Sequence, residues 1–332
     1  MRILLSGWLC ALACATGLAA ATNLVVGTTN LPVASTNNAD AATEKEFKKI
    51  MEDDDAAQAE VDQWIRENDE ATSKGAGVPR ADLQRRIRDR FAPLRAAYED
   101  FISRHPNHAG VRVAYGSFLN DLHDEEGAQA QWEKALALNS KDPAAYNNLA
   151  NLYTHVGPIK KAFEYYGKAI ELSPREPLYY HNLGDVVYLF RKDAMQCYSL
   201  TEQQVYDKAL ELYCQALKLA PDDFPLASDV AQTYYGIKPL RLEDALRAWT
   251  NALAIAHDEI EREGVYLHFA RLKLHAERFA EARAHLNAVT NDMYAELKKR
   301  LTRNLDQQER GAKATNAPPA VSGTNALRPM SP

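Results

Sequence analysis

One spacing, returning along most of the chain, limits what this sequence can fold into. Tyr146, Leu149 and Tyr153 fall at i, i+3 and i+7, with Ala150 beside them. Ala162, Tyr166 and Ala169 repeat the pattern, and Pro174 follows. Each group puts bulky residues on one helical face. The alanines sit where two antiparallel helices must cross closely, and the proline ends the unit because it cannot donate to a continuing helix. The same slots recur 34 residues earlier as Tyr115, Gly116, Leu119, Ala128, Trp132 and Ala135. They recur later as Leu183, Gly184, Val187, Ala209, Tyr213, Ala216 and Pro221, then as Val230, Ala231, Tyr234, Ala245, Trp249 and Ala252. A fifth set is Phe269, Ala270, Ala282, Leu286 and Val289, with Lys273 in an aromatic slot. A two-helix unit cannot bury its apolar face alone, so such units stack into one continuous core.

This pattern resembles the tetratricopeptide repeat (TPR) family over roughly 90–290. The resemblance implies an all-α fold, a right-handed TPR superhelix or α-solenoid, with five units over 106–291. Tyr98 to Pro106 is similar to the second half of a further, degenerate unit. A helical lead-in over 43–105 precedes the units, and a charged amphipathic helix over 292–310 caps them. Val187 to Ala209 spans 22 positions where Tyr153 to Ala162 spans 9, so the third unit carries a 13-residue insertion near 189–201. That insertion is either a partner-gripping hairpin or an ordered loop on its own unit.

In this family the concave groove is lined by each unit's first helix. The resemblance assigns its polar slots to Asn148 and Asn151, Asn182 and Asp185, Asp229 and Gln232, and His268 and Arg271. Each pair is i, i+3 and shares a helix face. The family's asparagines at the first slot can bond an extended peptide's backbone, so a protein or peptide partner is expected there. The alternative is that these asparagines are common family residues without a dedicated ligand. The first unit departs from the pattern with Ala114 and Ser117, and Asn147, His181 and Ser228 stand where carboxylate-clamping lysines would be. A receptor for chaperone tails is therefore disfavoured.

The remaining sequence sets the context. Met1-Arg2, an apolar stretch to Leu18 and Ala19-Ala20-Ala21 read as a signal peptide over 1–21, with a periplasmic or extracellular product. A lipoprotein anchored through Cys14 is the alternative. Beyond that stretch there is no second apolar run, so no membrane span is expected after cleavage. Residues 22–42 and 311–332 have no apolar period and are expected to be a disordered linker and tail. The run Glu52-Asp53-Asp54-Asp55 lacks the spacing of a calcium loop and reads as a solvated acidic face. The arginines from Arg80 to Arg95 read as its basic counterpart, and Pro93 is expected to kink or split their helix. Cys197 and Cys214 remain after export and are either a disulfide or two unpaired thiols.

No nucleotide-binding, hydrolase or zinc-protease motif occurs, and His105 and His108 flank Pro106 without an obvious third ligand. No catalytic residue, cofactor or metal site is assigned. A net charge of −6 argues against a nucleic-acid partner. The expected role is an exported, non-catalytic interaction scaffold. The alternative is an accessory or regulatory subunit of an envelope enzyme, secretion or polysaccharide system.

Overall fold

The computed structural model describes residues 38–315, and the signal peptide, Cys14, most of the linker and 316–332 lie outside them. Fourteen α-helices and no strand occur among the described residues. They fall into two compact units, one ending at Pro221 and one beginning at Asp222.

The first unit opens with α1 (Asn38–Ser73) and α2 (Arg80–Arg104), followed by α3 (Ala109–Asp121) and α4 (Glu125–Leu138). Next come α5 (Pro143–Val156), α6 (Ile159–Leu172), α7 (Pro177–Leu189), the short α8 (Arg191–Tyr198) and α9 (Glu202–Leu219). The pairs α3–α4, α5–α6 and α7–α9 form antiparallel hairpins, and α5 and α7 each also pack on the preceding hairpin. The second unit holds α10 (Phe224–Thr233), α11 (Leu242–Ala254), α12 (Glu259–His275), α13 (Phe279–Ala288) and α14 (Ala295–Thr315). Leu301 and Leu305 of α14 close its core against Leu267, Leu274 and Leu286.

Local sequence explains where the hairpins start. The Asp142 carboxylate accepts from Ala145 N at 2.9 Å, and Asp223 accepts from Leu226 N at 2.9 Å. Each caps a helix whose first turn contains proline, where the missing N–H costs nothing. Thr201 and Gln204 form the expected capping box before α9. The repeat slots supply the core: Tyr115, Trp132, Tyr166, Tyr213 and Trp249 are all buried.

Four expectations change. Helix α1 begins at Asn38, inside the expected linker, because Ala39, Ala41 and Ala42 favour helix despite having no apolar period. Helix α2 is not split at Pro93 but continues through it, with Phe91, Leu94, Tyr98 and Phe101 buried. Helix α14 continues through Gly311 to Thr315, inside the expected tail, and residues 292–294 ahead of it form a 3-10 turn. The insertion is neither hairpin nor loop but contains the helix α8. Ala194 is buried, Tyr198 meets Phe163 at 5.4 Å between ring centroids, and Arg191 lies over Tyr188 and Tyr206.

The acidic and basic lead-in helices pair as their charges require. Arg90 meets Glu60 at 2.7 Å, Arg104 binds Glu46, and the Tyr98 hydroxyl donates to Asp54 at 2.7 Å. His108 caps α3 by accepting from Val111 N at 3.0 Å, and the His105 ring lies tilted against Phe101 at 4.6 Å between centroids. Among the described residues no group of His, Cys, Asp and Glu is placed to hold a metal, and no helix is long and apolar enough to cross a membrane.

Two glycines test the packing. A Cβ on Gly184 would stand 2.7 Å from Tyr213 Cε1, and that ring is anchored by its hydroxyl on Asp185. Gly184→Ala should destabilise by about 1–3 kcal/mol. Gly167, exposed in α6 with nothing within 4 Å, should instead gain about 0.5–1 kcal/mol as Ala. Denaturant unfolding of both variants checks the opposite signs.

Candidate partner-binding groove

In the first unit the first helices lie side by side, α3 against α5 and α5 against α7. A chain of amides links them. Asn148 Nδ2 donates to Ser117 Oγ at 3.1 Å, Asn147 Nδ2 to Asn148 Oδ1 at 3.4 Å, and Asn182 Nδ2 to Asn147 Oδ1 at 2.9 Å. Asn147 is the buried member, 4% exposed, while Asn148 and Asn182 are half-buried. A buried amide needs partners, and here Asn148 of the same helix and Asn182 of the next repeat supply them. Helices α5 and α7 contain no lysine or arginine, so this surface has hydrogen-bonding capacity without cationic charge.

The second slot of each pair does something else. Tyr166 and Tyr213, on the second helices of their hairpins, donate their hydroxyls to Asn151 Oδ1 and Asp185 Oδ1. Burial raises the Tyr166 pKa well above the usual phenol range, so this hydroxyl stays a donor. Asn151 and Asp185 are thus braces within a hairpin, each with one acceptor position already taken. His181 Nε2 also lies 3.6 Å from Asp185 Oδ2.

In the second unit the assigned slots diverge further. The His268 ring stacks on Trp249 at 3.8 Å between centroids and 12° between planes. Its Nδ1 is 3.1 Å from the Tyr235 hydroxyl. Burial, reinforced by the Arg271 charge, pushes the His268 pKa down to about 3, so it packs as a neutral ring. The Arg271 guanidinium lies 4.4 Å from the Tyr235 ring centroid. Asp229 accepts through its backbone carbonyl from Thr233 at 3.0 Å, and Gln232 is exposed. The structure therefore brings His268 and Arg271 together around Tyr235, and Asn148 and Asn182 around Asn147.

Cys197 and Cys214 are free, exposed thiols, so the disulfide left open by the sequence is not formed. Cys197 is the penultimate residue of α8, five residues before Glu202 opens α9. Cys214 lies about 18 Å along the α9 axis from Glu202, at about 1.5 Å per residue.

Sequence reading missed the parts played by Asn147, Tyr235 and Glu263. Asn147 had a signal: it occupies a slot held by Val113 and Leu267 in other units, where a polar residue must find a partner. Tyr235 and Glu263 act outside the repeat slots.

In the first unit the stacked helical hairpins define an α-solenoid fold. The tetratricopeptide repeat family matches residues 143–176. A TPR repeat-containing protein of Methanocaldococcus jannaschii is 27% identical over 172 residues, covering 43% of this chain and 30% of that relative. This chain therefore spans less than a third of that protein's length. The photosystem I assembly protein Ycf3 of Rippkaea orientalis is 30% identical over 120 residues, which is 34% of this chain and 68% of Ycf3. The structure of PilF from Pseudomonas aeruginosa aligns with a TM-score of 0.47 and 17% identity, over 78% of this chain and 99% of PilF. The chain belongs to the tetratricopeptide repeat family. Proteins of this family are protein–protein interaction scaffolds and are generally non-catalytic.

Proposed function

We propose that this protein is an exported, non-catalytic scaffold that holds an extended partner segment along α3, α5 and α7. The observation that carries this reading is the amide chain Ser117–Asn148–Asn147–Asn182. An asparagine side chain has two donor hydrogens and two acceptor lone pairs, so it can pair with a backbone amide whatever the ligand's sequence. The inter-repeat bonds use part of that capacity and fix the amides in orientation, which lowers the entropy cost of binding. Helices α5 and α7 carry no lysine or arginine, and Arg112 of α3 is held by Gln131 and the Pro106 carbonyl, so affinity should depend weakly on salt. The likeness to a photosystem I assembly protein supports a role in holding partner subunits together.

The test pans a displayed peptide library on the chain and titrates a selected peptide. Asn148→Ala/Asn182→Ala removes two bonds of roughly 0.5–1.5 kcal/mol each, so the dissociation constant should rise roughly 5- to 150-fold. Because Asn182→Ala also takes a partner from buried Asn147, circular dichroism and melting must confirm that the variant is folded. Unchanged affinity in a folded variant, or no peptide selected, rejects the reading.

Export rests on Met1 to Ala21. Intact mass of protein recovered from its native cells should place the mature N-terminus at Thr22. A chain retaining Met1 in the cytosol would refute export, and a lipid on Cys14 would favour the anchored form.

A further inference from the structure

The α1–α2 hairpin is covered along only part of its length. Where α3 lies over it, its seam is dry: Phe47, Ile50, Val61, Phe91, Leu94, Tyr98 and Phe101 are all buried. Phe91 meets Phe118 at 5.6 Å, and Tyr98 meets Tyr115 at 5.3 Å between ring centroids. Beyond that cover the same two helices continue as an arm. No residue from 62 to 90 is buried, and the apolar side chains Trp64, Ile65, Leu83 and Ile87 are only half-buried. The arm extends about 18 Å past Val61, at about 1.5 Å per residue. Its tip is ordered by the Asn68 side chain, which accepts from Val78 N at 2.8 Å, and Arg86 lies 3.6 Å above the Trp64 ring.

Charge in the arm is split between its two helices. Over 62–73, Asp62, Glu67, Asp69 and Glu70 stand against Arg66, a net of −3. Over 80–90, Arg80, Arg85, Arg86, Arg88 and Arg90 stand against Asp82 and Asp89, a net of +3. Arg85 pairs with Asp82 of its own helix, and Arg90 reaches back to Glu60. Arg66, Asp69, Glu70, Arg80 and Arg88 are exposed, and none of them forms an ion pair among the described residues.

We propose that the arm is a self-association surface whose occupant is the arm of a second copy of this chain. A two-fold axis places the acidic helix of one copy against the basic helix of the other twice over, because an isologous interface repeats each contact. Two hairpins so joined form four helices around Trp64, Ile65, Leu83 and Ile87, giving these residues the cover that α3 gives Phe91 and Tyr98. A partner of one charge sign would meet repulsion from one of the two helices. The arm's own charges complement both.

Sedimentation velocity of the full chain tests this. At low ionic strength the wild type should be dimeric at micromolar concentration, and salt should weaken the dimer by screening. Glu67→Arg/Glu70→Arg and Arg85→Glu/Arg88→Glu should each be monomeric and retain full helical content. Mixed in equal amounts, the two variants should recover a heterodimer. Arg85→Gln/Arg88→Gln, a milder change, should weaken the dimer about tenfold. A monomeric wild type, a dimer unaffected by either reversal, or a mixture that stays monomeric overturns the proposal. The first of these would leave the arm to a different protein.

Discussion

Trp249→Ala should destabilise the second unit by about 3–5 kcal/mol, the range for emptying a large aromatic site in a core. Trp249 is 1% exposed, and its ring face carries His268 at 3.8 Å. Truncation removes the contact of both rings and leaves a cavity that helices α11 and α12 cannot close without shifting. The indole N–H is buried without a hydrogen-bond partner, whereas Trp132 in the equivalent slot donates to the Val113 carbonyl at 3.1 Å. Trp249→Phe removes an unpaired donor together with some volume, so its cost should be well under half that of Ala. His268 supplies a second readout. Its pKa is lowered from 6.5 to about 3, chiefly by burial. The unfolded chain therefore binds a proton that the folded chain refuses between those values, and wild-type stability should fall as pH drops through that window. Opening the site should return the His268 pKa toward its ordinary value in Trp249→Ala and flatten that slope. Urea unfolding at several pH values, with NMR titration of the imidazole, measures both effects. A loss below 1 kcal/mol, or an unmoved imidazole, would contradict this account.

What the sequence made legible follows from how repeats encode burial. Tyr115, Trp132, Tyr166, Tyr213 and Trp249 were readable as core because bulky and small residues alternate at fixed helical offsets, and these offsets are what inter-helix packing selects. The tyrosine braces were also present in the pattern. The units with Tyr166 and Tyr213 carry Asn151 and Asp185, which can accept a phenol hydroxyl, while the units with Trp132 and Trp249 carry Ser117 and Gln232. Reading those slots only as groove lining missed the partner that a buried hydroxyl requires. Bonds between units were harder to see. Whether Asn182 reaches Asn147 depends on the offset of adjacent hairpins, which no single repeat specifies. Helix ends at Asn38 and Thr315 were missed because alanine-rich and charged stretches have helix propensity without an apolar period. Helix α8 was missed because eight residues are too few for periodicity to separate helix from loop.

Glu263 is the residue outside the repeat slots on which the C-terminal cap depends, and Glu263→Ala should cost about 2–4 kcal/mol. Its carboxylate is 1% exposed, accepting from Thr290 Oγ1 at 2.7 Å and from Asn291 N at 2.7 Å. Those two bonds fix the turn between α13 and α14. Tyr294 then packs into the core with its hydroxyl donating to the Ile260 carbonyl at 2.9 Å, and Lys298 donates to the Val289 carbonyl at 2.7 Å. Alanine would strip the half-buried Asn291 N–H of its partner, while the hydroxyl of exposed Thr290 would turn to water. Glutamine keeps one acceptor oxygen and should lose about half as much. Burial by itself would raise the Glu263 pKa, but the bonds from Asn291 and Thr290, with the nearby Lys298 charge, outweigh it and hold the carboxyl below 4.5. A depressed carboxyl contributes stability that is present above its unfolded pKa and disappears as pH falls through its folded one. Acid should therefore loosen the α13–α14 turn below about pH 4.5 in the wild type. Glu263→Gln should lack that component. Hydrogen exchange of amides 289–305 against pH reads this turn directly. Equal protection in wild type and Glu263→Ala at neutral pH would mean that the apolar contacts of Leu301 and Leu305 hold the cap without the carboxylate.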